Sequence, residues 1–149
     1  MCIKYVCSEC AVLKDLTVTE AAYLAGLIDG EGCITIVREK SNHYRCVIQI
    51  VLTSSILIDL CNEYGGNWCL GKSRNLNWKP CYRWFWTLDL QVKYLPLILP
   101  YLKIKKEQGQ ILLACLSSRF KYSRQHKAKF ADALKRLRFL NRRGRFNAS

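Results

Sequence analysis

Leu24-Ala25-Gly26-Leu27-Ile28-Asp29-Gly30-Glu31-Gly32 is an apolar run that ends in alternating acids and glycines. Apolar residues at helical spacing, closed by turn-forming ones, predict a helix that stops abruptly. Just upstream, Thr19-Glu20 supplies a capping hydroxyl and an acid for the positive end of the helix dipole. The helix is therefore expected from Thr19 through Ile28. Its exit is Asp29-Gly30-Glu31-Gly32, where two glycines permit backbone angles that other residues resist. The small residues Ala22, Ala25 and Gly26 would let a second helix approach closely, backbone against backbone. The glycine-rich exit points a carboxylate beyond the helix end, where it is poised to hold a hard cation.

Beyond this exit, Cys33 to Lys40 alternates, with Ile34 and Ile36 on one side and Cys33, Thr35 and Val37 on the other, which predicts a half-buried strand. A turn at Ser41-Asn42 leads into a second strand, Tyr44 to Leu52, with Cys46, Ile48, Ile50 and Leu52 on one face and Arg45, Val47 and Gln49 on the other. Thr53 or Ser54 then caps a helix to about Tyr64, ended by Gly65-Gly66. Two more strands are expected, Asn67 to Ser73 and Cys81 to Leu88, followed by a helix from Val92 to Leu102 that Pro96 and Pro100 bend or break. A basic junction, Lys103-Ile104-Lys105-Lys106, precedes an apolar helix from Ile111 to Leu116, and Phe130, Leu134 and Leu137 mark a further helical face. The order is α+β, αββαββα: a four-stranded antiparallel, saddle-like sheet with one open face, helices on its other face and extra basic helices at the C-terminus. The divisions expected are a leader over 1–15, a core over 16–116 and a basic helical extension over 117–149.

The 149 residues carry 24 Lys and Arg against 11 Asp and Glu, a net +13 that favours a polyanionic partner. Between Ser117 and Ser149 lie 11 of those bases and one acid, Asp132, so the excess is mostly C-terminal. No stretch approaches the roughly 18 apolar residues of a membrane span. The first residues lack the character of a secretory signal, so the chain is expected to stay in the compartment where it is made, cytoplasm or organelle matrix. Nine scattered cysteines, several inside strand-like runs, read as buried free thiols. Cys2, Cys7 and Cys10 are the exception, because Cys7-Ser8-Glu9-Cys10 has the spacing of half a zinc site with no second half to follow. The expected reading of this stretch is a flexible leader, with a zinc knuckle as the alternative.

With these elements in place, the Leu24–Gly32 stretch resembles the defining motif of the LAGLIDADG homing endonucleases, matching seven of its nine letters; Gly30 stands for alanine and Glu31 for aspartate. A second likeness lies downstream, where Leu99-Pro100-Tyr101-Leu102 and the lysines after it look like the family's Pro-Tyr-Leu segment and lysine-rich loop. The resemblance runs in order and spacing from about Thr19 to Leu116. It implies a site-specific endonuclease that hydrolyses both strands of a long, pseudo-palindromic DNA site and leaves 3′ overhangs. Glu31 is implied as the catalytic acid and, with the Gly30 carbonyl, as ligand to Mg2+ or Mn2+. Lys105 matches the loop lysine that stabilises charge at the cleavage centre, with Lys103 as its rival. One motif per chain implies a homodimer, with Ala22, Ala25, Gly26 and Asp29 at the helix–helix interface and two or three divalent ions shared between the copies.

Recognition of double-stranded DNA is expected on the open sheet face, since a two-stranded ribbon fits the major groove and presents every second side chain to base edges. Cys33, Thr35, Val37, Arg45 and Gln49 lie there by alternation, Gln49 suited to adenine and Arg45 to guanine. Lys72, Arg74, Tyr82 and Trp84 are further candidates, although Trp84 and Trp86 suit a core equally well. One departure stands out. Many relatives place Gln or Asn just after the second strand to organise water; here the nearest residue is Leu52, with Thr53 as a substitute. Two alternatives share the fold: an RNA splicing factor acting on an intron, and a DNA-binding protein without cleavage. His43 and His126 form no His-Asn-His cluster, which disfavours other nuclease classes.

Overall fold

The structure, a computed structural model, describes residues 3–6, 13–71, 77–118 and 124–146. The first helix, α1, spans Val18–Glu31 and starts at Thr17. The Thr17 hydroxyl accepts the Glu20 N–H at 3.2 Å, and the Glu20 carboxylate accepts the Thr17 N–H at 2.8 Å. This reciprocal box needs hydroxyl and acid three residues apart, which is why the cap is Thr17 and not Thr19. Ala21, Leu24, Ala25 and Ile28 form its buried stripe. The helix runs through Asp29 and Gly30 and ends at Gly32. Neither Gly30 nor Gly32 takes a positive φ, contrary to expectation. Gly32 answers a different need: a Cβ there would lie 2.7 Å from both Cα and O of Ile28.

Strands β2 (Gly32–Arg38) and β3 (Tyr44–Leu52) form the expected hairpin, with Ile34 opposite Ile48. Its turn places Asn42 at φ 64°, a left-handed position that asparagine tolerates. Helix α2 (Ile56–Tyr64) gives way to Gly65 and Gly66 at φ 89° and 100°, then to β4 (Asn67–Gly71) and β5 (Cys81–Phe85). The four expected strands make one antiparallel sheet, and a fifth, β1 (Ile3–Val6), joins it, in the order β1-β4-β5-β3-β2. The added strand comes from the stretch expected to be a leader and pairs along β4, satisfying an edge that would otherwise present unpaired backbone groups. That pairing sets Lys4 opposite Cys69, and Cys69 is disulfide-bonded, whereas it was expected to be a free thiol. Cys33, Cys81 and Cys115 are free thiols as expected. Cys2, Cys7 and Cys10, the half zinc site, lie outside the described residues.

Helix α3 (Leu88–Ile98) begins four residues before the expected Val92. Gln91, buried in its first turns, donates from Nε2 to the carbonyls of Trp86 (2.9 Å) and Cys46 (3.2 Å), binding the helix start to the sheet. Pro96 sits inside α3 without ending it, and Pro100 falls in a 3-10 turn, Leu99–Tyr101. Helix α4 (Lys106–Ser117) is longer than its apolar segment, and α5 (Arg124–Phe146) follows. Helices pack on one sheet face around Leu24, Ile28, Ile34, Ile48, Trp84, Tyr94 and Leu112, all fully buried. Burial of each aliphatic side chain of this size is worth about 1.5–3 kcal/mol.

Candidate active site and nucleic-acid interface

The C-terminal end of α1 meets the basic junction through Asp29. Its carboxylate accepts the main-chain N–H of Lys103 at 2.7 Å on one oxygen and that of Lys105 at 2.8 Å on the other. The Lys105 ammonium donates in return to the Asp29 carbonyl, at the negative end of the helix dipole. Lys105 is half-buried and Lys103 exposed, so Lys105 is the lysine built into this corner. Burial pushes the neighbouring Cys33 thiol up from its ordinary range while the charge of Lys105 pulls it down, which sets the ammonium near the start of β2. Gly30 and Glu31 are exposed beside this corner. The carboxylate of Asp29, a residue expected at a helix–helix interface, is committed to its own chain. Ala25 is likewise fully buried in its own core, because it falls on the stripe of Leu24 and Ile28. Ala22 and Gly26 are exposed, and a Cβ on Gly26 or Gly30 would meet nothing within 4 Å.

Strand register decides the open face. Cys33 lies opposite Gln49, Thr35 opposite Val47 and Val37 opposite Arg45, so the side chains expected to share a face do so. Val47 is nevertheless buried. Gln49 also faces Phe85, and Val51 faces Arg83, which carries the face onto β5 through residues 81, 83 and 85. Tyr82 and Trp84 therefore belong to the opposite, core face, and their expected role in DNA contact is overturned. Trp84 is fully buried and donates from Nε1 to the Gly65 carbonyl at 2.8 Å. Tyr82 packs on the core, opposite Leu52 and Leu70, with its ring 6.2 Å from that of Trp68. Exposed Arg83, between them, was missed. Leu52 also packs on the core, leaving Thr53 exposed. Lys72 and Arg74 lie outside the described residues.

This architecture matches solved structures along most of its length. The homing endonuclease I-CvuI in complex with its target, in the presence of 2 mM Ca, superposes with a TM-score of 0.67 at 21% identity over 83% of this chain and 82% of that one. An archaeal intron-encoded homing endonuclease, I-Vdi141I, complexed with DNA gives 0.61 at 16% identity over 83% of each chain. The LAGLIDADG homing endonuclease I-GzeII in complex with its DNA target gives 0.63 at 12% identity over 86% of this chain and 47% of that one. The chain has the LAGLIDADG homing-endonuclease fold. Its sequence matches no family model and no curated protein.

In this fold the motif stretch Leu24–Gly32 is the end of α1 together with its cap, and the Pro100-Tyr101 stretch leads directly to the Asp29 corner. Helix α5 adds a feature at the sheet edge. It lies beside β2 and against α4, burying Phe130, Ala133, Leu134 and Leu137, and Asn141 donates to the Ile34 carbonyl at 3.2 Å. On the α4 side, Arg136 pairs with Glu107 at 2.6 Å and Lys129 donates to the Ala114 carbonyl at 3.3 Å. Exposed Lys127, Lys135, Arg138 and Arg142 fall on the other flank, within an arc of roughly 80° at 100° per residue. On the hairpin, Arg45 pairs with Glu39 at 2.9 Å, both exposed. Such a pair is worth little in water and is readily exchanged for a phosphate or base edge. Among the described residues, no helix is long and apolar enough to cross a membrane.

Proposed function

We propose that this chain is a site-specific DNA endonuclease acting as a homodimer, hydrolysing both strands of a long, pseudo-palindromic site and leaving 3′ overhangs. The observation that carries the reading is the end of α1, where exposed Glu31 follows the corner in which Asp29 holds Lys105. Two such ends, apposed through the low face of Ala22 and Gly26, would bring two Glu31 carboxylates together at the two-fold axis. The donor set suits a divalent cation shared between copies. Among the described residues no three His, Cys, Asp or Glu side chains cluster, so one chain offers one carboxylate and the Gly30 carbonyl, and the remaining oxygens would come from the partner and the DNA. Glu31 and the Gly30 carbonyl would hold magnesium or manganese, which would supply a Lewis acid for the scissile phosphate and for attached water. Lys105 would then stabilise negative charge on the phosphate, held in place without reorganisation.

Cys33, Thr35, Val37, Arg45, Gln49 and Arg83 would face the major groove, and the cationic flank of α5 would grip the phosphates beside β2. On this reading residues 16–116 form the nuclease core and 117–149 its basic extension, with 1–15 contributing β1. The test is selection of cleaved species from a randomised duplex library in magnesium. Wild type is expected to yield a defined site, and Glu31→Gln to bind that site without cutting it. Continued cutting by the variant would sink the mechanism. Binding to intron RNA with no cleavage of any duplex would transfer the reading to a splicing factor.

A further inference from the structure

The Asp29 corner joins two helices by opposite charge and dipole at once. Lys105 is the N-cap residue of α4 but makes no side-chain cap, and its N–H is satisfied by the carboxylate of Asp29. An anion therefore sits at the positive end of α4, while the Lys105 ammonium sits at the negative end of α1 on the Asp29 carbonyl. The Lys103 N–H completes the grip on the second carboxylate oxygen, and Ile104 between them is left 74% exposed. Successive N–H groups converging in this way normally form a nest for an anion from outside. Here the chain supplies its own, and both Asp29 oxygens are thereby withdrawn from metal binding.

From this geometry we propose that Asp29 is the positioning residue of the active site: it registers the Lys103–Lys105 loop against the end of α1, so that Lys105 and Glu31 are presented as one unit. The role rests on the endonuclease reading above, and Asp29 acts through Lys105 without touching the reacting atoms. The two residues that precede the motif acid then have separate roles, Gly30 through its carbonyl and Asp29 through its clamp.

The experiment is a double-mutant cycle of Asp29→Asn and Lys105→Met in the full chain, with amide hydrogen exchange of Lys103 and Lys105 followed beside it. Loss of one charge-assisted bond in D29N should speed exchange at these amides on the order of tenfold. On the duplex selected by wild type, D29N should lower kcat by about 10- to 100-fold with KM nearly unchanged. In the K105M background the same substitution should cost less than about 2-fold, since coupled residues are non-additive. An equal loss of kcat in both backgrounds, a change confined to KM, or unaltered amide exchange would each overturn the proposal. If D29N does not fold, Asp29→Ser, which keeps one acceptor oxygen, takes its place in the cycle. Should wild type cut no duplex, the endonuclease reading fails and the positioning role falls with it, while slow exchange at the two amides still reports the clamp, so the two failures are told apart.

Discussion

Arg83 and its two neighbours show how much one step of phase matters in a strand. Side chains alternate between faces, so shifting the assignment by one residue exchanges wet for buried. Trp84, fully buried with its indole N–H on Gly65, holds the core, and Arg83 faces the solvent side opposite Val51 and Cys69. Arg83→Ala should weaken DNA binding by about 1–3 kcal/mol, measured by titration of the selected duplex. Tyr82→Phe should leave affinity unchanged, and Trp84→Ala should instead lower folding stability by about 3–5 kcal/mol. Equal effects of Arg83→Ala and Tyr82→Phe on binding would contradict this face assignment. The wrong phase arose because Tyr82, Trp84 and Trp86 alternate as well as Cys81, Arg83 and Phe85 do, and aromatic residues suit either environment.

Among the elements, α1 and α5 each make a separate prediction. At the start of α1, Glu20 is held near pKa 2, chiefly by Lys14 and then by the Thr17 N–H and hydroxyl, against an ordinary 4.5. Its carboxylate is lower in the folded state, so its contribution to stability is present above about pH 4.5 and is lost as pH falls through about 2. The melting temperature of Glu20→Gln should therefore drop less than that of wild type on acidification across this window. A parallel fall in both proteins would show that the box and its lysine carry no such linkage. Along α5, replacing Lys135 and Arg138 with alanine should shallow the dependence of log affinity on log salt by roughly 0.9 for each phosphate no longer neutralised. An unchanged slope would remove α5 from the DNA interface. The same substitutions should not disturb folding, because that flank takes no part in the helix's buried packing.

For the whole molecule, Gly26 is the position that reports on a second copy. A side chain there meets nothing within 4 Å in one chain, and glycine inside a helix costs roughly 0.5–1 kcal/mol relative to alanine. Gly26→Leu should therefore fold at least as stably as wild type. In a dimer packed along α1 the added bulk would hold the helices apart, so sedimentation should show monomer and cleavage of the selected duplex should be lost together. A dimer that survives Gly26→Leu would place the two-fold axis elsewhere. A wild-type chain that sediments as monomer at working concentration would remove the shared site altogether.

The features legible from the residues alone were local. The α1 exit, the β2–β3 hairpin, the glycine end of α2 and the inward isoleucines were legible because each depends on neighbours within a few residues and on periods of 2 or 3.6. The motif stretch drew attention to Glu31, and the separate Pro-Tyr-Leu likeness to the lysine loop. What those residues do for one another depends on contacts between distant parts of the chain. Only the approach of the Lys103–Lys105 loop to the end of α1 makes Asp29 the clamp on Lys105, across a separation of 76 residues. Only the pairing of β5 between β3 and β4 sets its phase, and only an open partner edge on β4 recruits Ile3–Val6 into the sheet. Helix periodicity tells which residues share a face. It does not tell what covers that face, and so Ala25, beside Gly26 in the motif, belongs to the core while Gly26 remains in the open.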